Sequence, residues 1–336
     1  MEKCSSSGSI GCGSAAEIRG GLGIRLSGKA ELVAVADNDY GRAEAYANSF
    51  GIDRRYGDGH DLIGDPDVQA VYIATPNKFH HPFTLAAARA GKHVLCEKPF
   101  ATGVEENLEM IDACQRAGVL LSVSYYRRFY PSVQRAKRLI DDGAIGRVTL
   151  AGIHATHFLG EHHRPDLAPR RWLIEKDMAG AGVFQRAGSH RIDVLIYLLG
   201  TVREVHAAIE RMGEGYDVDD ASVALLRFHS GAQGFVAMHH TVTGSETDWI
   251  EICGTGGRIL LDPLDQCRVT IETSEGRQVF DDPTPESSTL PIIDDFVRAV
   301  ETGSQTICPA EEALKTNRVI YGGYRSSAEG RTVSLN

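Results

Sequence analysis

"GKHVLCEKPF" occupies residues 91–100. Its centre is apolar, it opens on a glycine and a proline follows the charged pair, the punctuation of a short buried strand. The strand runs out into Glu97 and Lys98, so two charged side chains sit at its carboxyl end. Working outward, "DVQAVYIATPN" (67–77) and "VLLSVSYY" (119–126) have the same texture, as does "ELVAVADND" (31–39). Helical stretches lie between them. "YGRAEAYANSFG" (40–51), "FHHPFTLAAARAG" (79–91) and "GVEENLEMIDACQRAG" (103–118) each stop at a glycine. This alternation predicts an α/β, doubly wound parallel sheet. Right-handed crossovers place the strand ends on one edge, where ligands bind.

After about residue 145 the pattern changes. Strand-like runs at 147–158, 203–212, 220–229, 232–242, 249–262 and 268–273 follow one another, with a hairpin at "GTGG" and one helix, "HRIDVLIYLLG" (190–200). This predicts an α+β domain built on a large, mostly antiparallel sheet. Helices return at 291–303 and 309–330. The expected division is a dinucleotide-binding domain over 1–123 and a substrate-binding and oligomerisation domain over 124–308. A C-terminal helix and tail over 309–336 are expected to pack back near the first domain. Apolar residues on both alternations of 220–242 (Val223, Leu225, Leu226, Phe228, Phe235, Val236) suggest a partner sheet, as in a homodimer or homotetramer.

The chain has 336 residues and a formal charge of −10, which disfavours nucleic acid as a partner. Seven scattered cysteines without a C-x-x-C pair fit a reducing compartment. The opening "MEKCSSSGSIGCGSAAE" lacks a signal-peptide core, and no run reaches the roughly 20 apolar residues that span a bilayer. A cytoplasmic protein with no membrane partner is expected. The thirteen histidines show no zinc-type spacing. His154 and His157 would point to opposite faces of a strand, so no metal is expected.

"GCGSAA" places Gly11, Gly13 and Ala16 in G-x-G-x-x-A register. The glycines permit a tight turn through which backbone N–H groups approach a pyrophosphate, and the following helix adds its dipole. A plain glycine turn gives the same string, and the preceding "KCSSSGS" is poor in the large apolar residues of a buried strand. Asp37, 24 residues after Gly13, is placed to accept the ribose hydroxyls of NAD; a helix N-cap is the alternative reading. Asn38 follows rather than an arginine, so a 2′-phosphate would meet a carboxylate and no guanidinium. NAD is expected over NADP.

The ordered landmarks G-x-G-x-x-A, "AVADND" (34–39), "ATPNKFHHP" (74–82), "GKHVLCEKP", "YYRRF" (125–129), "GSHRIDVLIYLLG" (188–200) and "EEALKTNRVIYGGYRSSAEGRTV" (311–333) run across nearly the whole chain. In this order they resemble the Gfo/Idh/MocA oxidoreductases. The resemblance implies an enzyme that transfers hydride between NAD and a hydroxyl of a sugar, inositol, related polyol or glycoside. It implies Lys98 and His190 as the catalytic pair, with Thr75, Pro76, Asn77, His80, Glu97 and Lys98 lining the cofactor. Pro99 invites a cis bond. His157 matches a substrate-contacting histidine, and Tyr126, Arg127 and Trp172 add stacking and polar contacts; each could equally serve core or interface. A solvated surface lysine is the lesser reading of Lys98, which lies between a buried strand and a proline; without Lys98, His190 would read as a helix-capping histidine with a structural hydrogen bond.

One position departs from the pattern. Many members carry an aspartate four residues before the histidine; here it is Arg186. An arginine stays protonated and cannot act as a base. Arg186 then binds an acidic substrate group, or Asp193, Asp177 or Glu161 supplies the carboxylate, or catalysis is lost. Alternatives to net oxidation are therefore a redox-assisted glycosidase and a non-catalytic NAD-binding sensor.

Overall fold

In a computed structural model the described residues are 5–335, apart from Ser14, 157–175, 177–180, 214–216 and 241–245. Two compact units are present: Met1–Tyr126 with Pro285–Leu314, and Arg127–Thr284 with Lys315–Asn336.

The first unit holds six parallel strands, β1 (Ser5–Ile10), β2 (Ala30–Ala36), β3 (Arg54–Tyr56), β4 (Ala70–Ile73), β5 (His93–Cys96) and β6 (Leu121–Val123). Their order is 3-2-1-4-5-6, the doubly wound arrangement whose ligand crevice opens between β1 and β4. The intervening helices are α1 (π-wound over Ala16–Gly21 and α over Leu22–Ser27), α2 (Tyr40–Phe50), α3 (Gly59–Gly64), α4 (His80–Arg89) and α5 (Val104–Ala117). The core joins Ile10, Ile73, Val94 and Val123 to Met110, Phe100 and Leu314.

The polar first strand is the central strand nonetheless. It pairs with β2, with a register shift at Ser7/Gly8, and with β4. At Gly8 the layer beside it is close. A Cβ on Gly8 would lie 2.5 Å from the side chain of Leu62, which is fully buried. Leu62 supplies the apolar volume that the strand lacks, and the two ladders hold the backbone.

The second unit is built on nine strands. These are β7 (Val148–Thr156), β8 (Val202–Glu210), β9 (Ala221–Phe228), β10 (Gln233–His239), β11 (Thr247–Gly254), β12 (Gly257–Leu261), β13 (Arg268–Thr273), β14 (Gly276–Asp281) and β15 (Val333–Ser334). Their order is 14-13-12-11-7-10-9-8-15, and the β7–β10 pair is parallel while the other pairs are antiparallel. Helices α6 (Pro131–Asp141), α7 (Val183–Arg186) and α8 (Gly188–Leu199) belong to this unit. On β9, Val223 and Leu225 are exposed while Leu226 and Phe228 are buried.

The expected segment boundaries need correction at the C-terminal end. Residues 285–308, expected with the second domain, fall in the first unit. There α9 (Leu290–Thr302) meets α1: Thr289 donates to the Arg19 carbonyl at 2.7 Å and Ser27 to Asp294 at 2.6 Å. Helix α10 (Ala310–Glu329) has its first residues in the first unit and Lys315 onward in the second. The tail was expected near the dinucleotide domain. Instead β15 pairs with β8, and Ala207 N–H donates to Ser326 Oγ at 3.0 Å. Among the described residues no helix is long and apolar enough to cross a membrane.

Gly8→Val should lower stability by about 1–3 kcal/mol in urea unfolding, because the added side chain overpacks Leu62; Gly8→Ala should cost less.

Candidate active site

The dinucleotide edge is organised by one carboxylate. Asp37, at the end of β2, accepts the N–H of Cys12 in the glycine turn at 2.9 Å and its own chain's Asp39 N–H at 2.9 Å. The helix N-cap is Asp39, which accepts from Gly41 and Arg42, so the capping alternative for Asp37 does not hold. Gly11 has φ +95°, and a Cβ there would lie 2.6 Å from the Ala74 carbonyl oxygen, so this position demands glycine twice over. Above Gly13 a Cβ would meet nothing within 4 Å. Ala16 is fully buried at the start of α1. Asn38 is exposed beside Asp37.

One expectation is overturned here. A guanidinium does stand beside the ribose-type carboxylate: Arg42 Nη2 is 3.1 Å from Asp37 Oδ1, and its Nε is 3.4 Å from Asp39. Arg42 lies in the first turn of α2, and the helix brings it back over the end of β2. Reading only the residue after Asp37 missed it.

The β4 and β5 ends form the other wall. His80 is buried and ties the two loops together. Its Nδ1 lies 2.9 Å from the Pro99 carbonyl and 3.2 Å from that of Phe100; its Nε2 lies 3.0 Å from that of Thr75. Burial holds its imidazolium below the ordinary value, against the pull of those carbonyls and of Glu97. Both ring nitrogens thus face main-chain carbonyls, and the neutral ring donates to them from one nitrogen only. Asn77 donates to the Ala101 carbonyl at 3.1 Å. Thr75 Oγ1 and Asn77 Oδ1 are buried with no protein partner. Together with the open Gly13 turn, these waiting polar atoms fit a dinucleotide. Pro76 is half-buried between them, and the Lys98–Pro99 bond is cis. Glu97 is buried, accepting from the Tyr72 hydroxyl at 2.6 Å and from Lys98 N–H at 3.1 Å, and Lys98 is half-buried. Tyr126 is buried in this unit with the Arg19 guanidinium 5.4 Å over its ring.

In the second unit, Arg186 ends α7 and His190 lies in the first turn of α8. Ala187 between them keeps right-handed helical dihedrals (φ −92°, ψ −35°), so the chain stays helical from one to the other. The carboxylate of Asp219 accepts from Gly182 N–H at 2.8 Å and Phe184 N–H at 2.9 Å, anchoring α7, and takes the Tyr324 hydroxyl at 2.8 Å. Burial and the Asp219 charge push the Tyr324 hydroxyl well above its usual value, keeping it a donor. His190 is 4% exposed. Its neighbours on α8 form buried ion pairs: Arg191 with Asp248 at 2.8 and 2.7 Å, and Arg128 with Asp193 at 2.7 Å through both oxygens. Thr316 also donates to Asp193 at 3.1 Å. Asp193 is therefore tied to Arg128 and Thr316. Arg127, expected on the substrate, forks onto Asp265 at 2.7 and 2.6 Å. His157, Trp172, Glu161 and Asp177 lie outside the described residues. Sequence reasoning missed Tyr72, Arg42 and Asp219. Only the spacing of Arg42 from Asp37, inside one helical turn after a cap, offered a signal.

A 3-2-1-4-5-6 parallel sheet with a glycine turn latched to a carboxylate at its switch point defines a dinucleotide-dependent enzyme. Residues 7–125 match the family model described as "Oxidoreductase family, NAD-binding Rossmann fold", and residues 133–260 match "GFO/IDH/MocA C-terminal domain". The chain is 32% identical over 314 residues to D-xylose 1-dehydrogenase (NADP(+)) 2 of Haloferax volcanii, spanning 91% of this chain and 92% of that one. It is 28% identical over 323 residues to myo-inositol 2-dehydrogenase of Thermotoga maritima, spanning 93% of each. Among solved structures, levoglucosan dehydrogenase in complex with NADH superposes with a TM-score of 0.90 at 25% identity, covering 98% of this chain and 99% of that one. The chain belongs to the GFO/IDH/MocA oxidoreductase family and is an NAD(P)-dependent oxidoreductase acting on CH–OH groups.

Asp193→Ala should destabilise the protein by about 3–5 kcal/mol in urea unfolding, because it strands the buried Arg128 guanidinium. Arg128→Leu together with Asp193→Leu should recover much of that loss.

Proposed function

We propose that this chain oxidises one hydroxyl of a sugar, inositol or related polyol, with NAD as the preferred coenzyme and with Lys98 and His190 handling the proton. The observation that carries the reading is the Asp37 latch on the glycine turn, opposite loops whose Thr75 and Asn77 oxygens have no protein partner. Relatives named for xylose, levoglucosan and myo-inositol support the substrate class.

Gly11, Gly13 and the start of α1 would hold the pyrophosphate, Asp37 the ribose hydroxyls, and Thr75, Pro76, Asn77 and Glu97 the nicotinamide side. When bound, the nicotinamide accepts the hydride. The half-buried Lys98 ammonium orients the hydroxyl and lowers the cost of its anion. The His190 imidazole accepts the proton. Arg186 follows the same helical path as His190 and cannot take a proton, so it is assigned to binding an oxygen-rich or acidic part of the substrate. Asp37 is pinned by two main-chain N–H groups and cannot swing away from a 2′-phosphate, which favours NAD. Arg42 offers such a phosphate partial compensation.

The test is NADH or NADPH formation with D-xylose, levoglucosan and myo-inositol. The expected result is turnover of at least one, with NAD giving the higher kcat/KM. Lys98→Met and His190→Ala should each lose roughly 100-fold or more. Arg42→Ala should reduce NADP use about tenfold more than NAD use. Wild-type rates in Lys98→Met would overturn the assignment. Glycoside cleavage without accumulating NADH would support the redox-assisted alternative instead.

We assign the exposed face of β9 and β10, with Val223, Leu225 and the half-exposed Phe235, to a second copy in a homodimer or homotetramer. Light scattering should give an oligomer for the wild type and a smaller species for Leu225→Glu; a monomeric wild type would remove this assignment.

A further inference from the structure

Glu97 has both carboxylate oxygens taken inside its own unit. Oε1 accepts the Tyr72 hydroxyl and Oε2 accepts the Lys98 main-chain N–H. Tyr72 and Glu97 are 2% and 4% exposed, so neither group has water to fall back on. The Tyr72 ring in turn fills the place beside Gly20 in α1: a Cβ on Gly20 would lie 2.0 Å from Tyr72 Cε1. Gly20 belongs to the helix that begins at the glycine turn. A continuous path thus runs from that helix through the Tyr72 ring and hydroxyl to Glu97, and from Glu97 to the peptide nitrogen of Lys98.

We infer that Tyr72 is a positioning residue that, through Glu97, fixes the main chain at Lys98 against the helix of the phosphate-binding turn. The inference rests on the reading of Lys98 as a proton-handling group, but its geometry does not. A buried carboxylate holds its place only while donors satisfy it, and the two donors here take one oxygen each. Burial and the Glu97 charge keep the Tyr72 hydroxyl protonated, well above its ordinary range, so it remains a donor throughout the working pH. Removing the hydroxyl leaves Glu97 facing a ring edge with one donor, and the carboxylate is then free to rotate away from Lys98 N–H. The β5 end loses its register while the glycine turn and Asp37, which bind elsewhere, keep theirs.

The experiment uses full-length protein labelled with [15N]lysine, with the Lys98 amide resonance assigned by its loss in Lys98→Arg. Tyr72→Phe should move the Lys98 amide resonance, as should Glu97→Asp, whose shorter side chain cannot reach both donors. NADH affinity should stay within about threefold in Tyr72→Phe. The kcat for the substrate found in the xylose, levoglucosan and myo-inositol assay should fall roughly ten- to a hundredfold, the effect of one hydrogen bond to a buried charge. Tyr72→Phe with Glu97→Gln should be no slower than either alone, since the three groups act as one unit. An unmoved Lys98 resonance in Tyr72→Phe, or in Glu97→Asp should the former fail to fold, overturns the inference. So does a loss of NADH affinity in step with kcat in Tyr72→Phe. Lys98→Met at wild-type turnover would remove the reading of Lys98 and leave the resonance shift standing. Lys98→Met without turnover, beside an unmoved resonance in Tyr72→Phe, would remove the Tyr72 inference alone.

Discussion

The hydrogen bond from Cys12 N–H to the Asp37 carboxylate is the constraint on which the cofactor edge depends. It crosses from β1 to β2 at the point where both strands end, so it sets the glycine turn and the ribose-type carboxylate in one frame. A buried carboxylate that already accepts two main-chain N–H groups is a poor candidate for movement. Its position is therefore fixed before any ligand arrives, and what remains variable is the guanidinium of Arg42 outside it. Coenzyme choice in this chain is a contest between a fixed repulsion and a half-exposed attraction.

The same economy of space explains the composition around it. The central strand takes a glycine at position 8 because Leu62 in the neighbouring layer sits too close for a side chain there. Large side chains reach in from the flanks: Leu62 over Gly8, and Tyr72 beside Gly20. Volume is conserved, but it is supplied by the partner rather than by the strand. That arrangement lets a tyrosine hydroxyl arrive deep in the sheet edge, where a larger residue on α1 would have excluded it.

Much of this was legible in the amino-acid order. The parallel sheet, the glycine turn, Asp37 and the strand ends at Thr75 and Glu97 all follow from apolar runs punctuated by glycine and proline. Three things were not. Strand β3 and helix α3 are too short, at three and six residues, for any periodicity to show. The interleaving of the two units was hidden, because composition does not reveal that 285–308 docks on α1 while the chain after 315 pairs with β8. The ion pairs of Arg127, Arg128 and Arg191 were also invisible, since their partners lie 57 to 138 residues away in sequence. Arg127 looked like a substrate contact for want of any way to see Asp265.

Those ion pairs bear on why His190 sits in so polar a helix turn. A buried pair contributes little net stability, because the desolvation of two charges offsets most of their attraction, while breaking one is costly. Such pairs are therefore poor glue and good registers. On α8 two residues just after His190 are held this way: Arg191 to Asp248 on β11, and Asp193 to Arg128 and Thr316. An apolar helix face would tolerate rotation by a fraction of a turn at small cost. Two forked arginine–carboxylate pairs with fixed planar geometry would not. Asp219 adds the third restraint by capping α7, one turn upstream. The helical turn that carries His190 is thus held in place by paired charges.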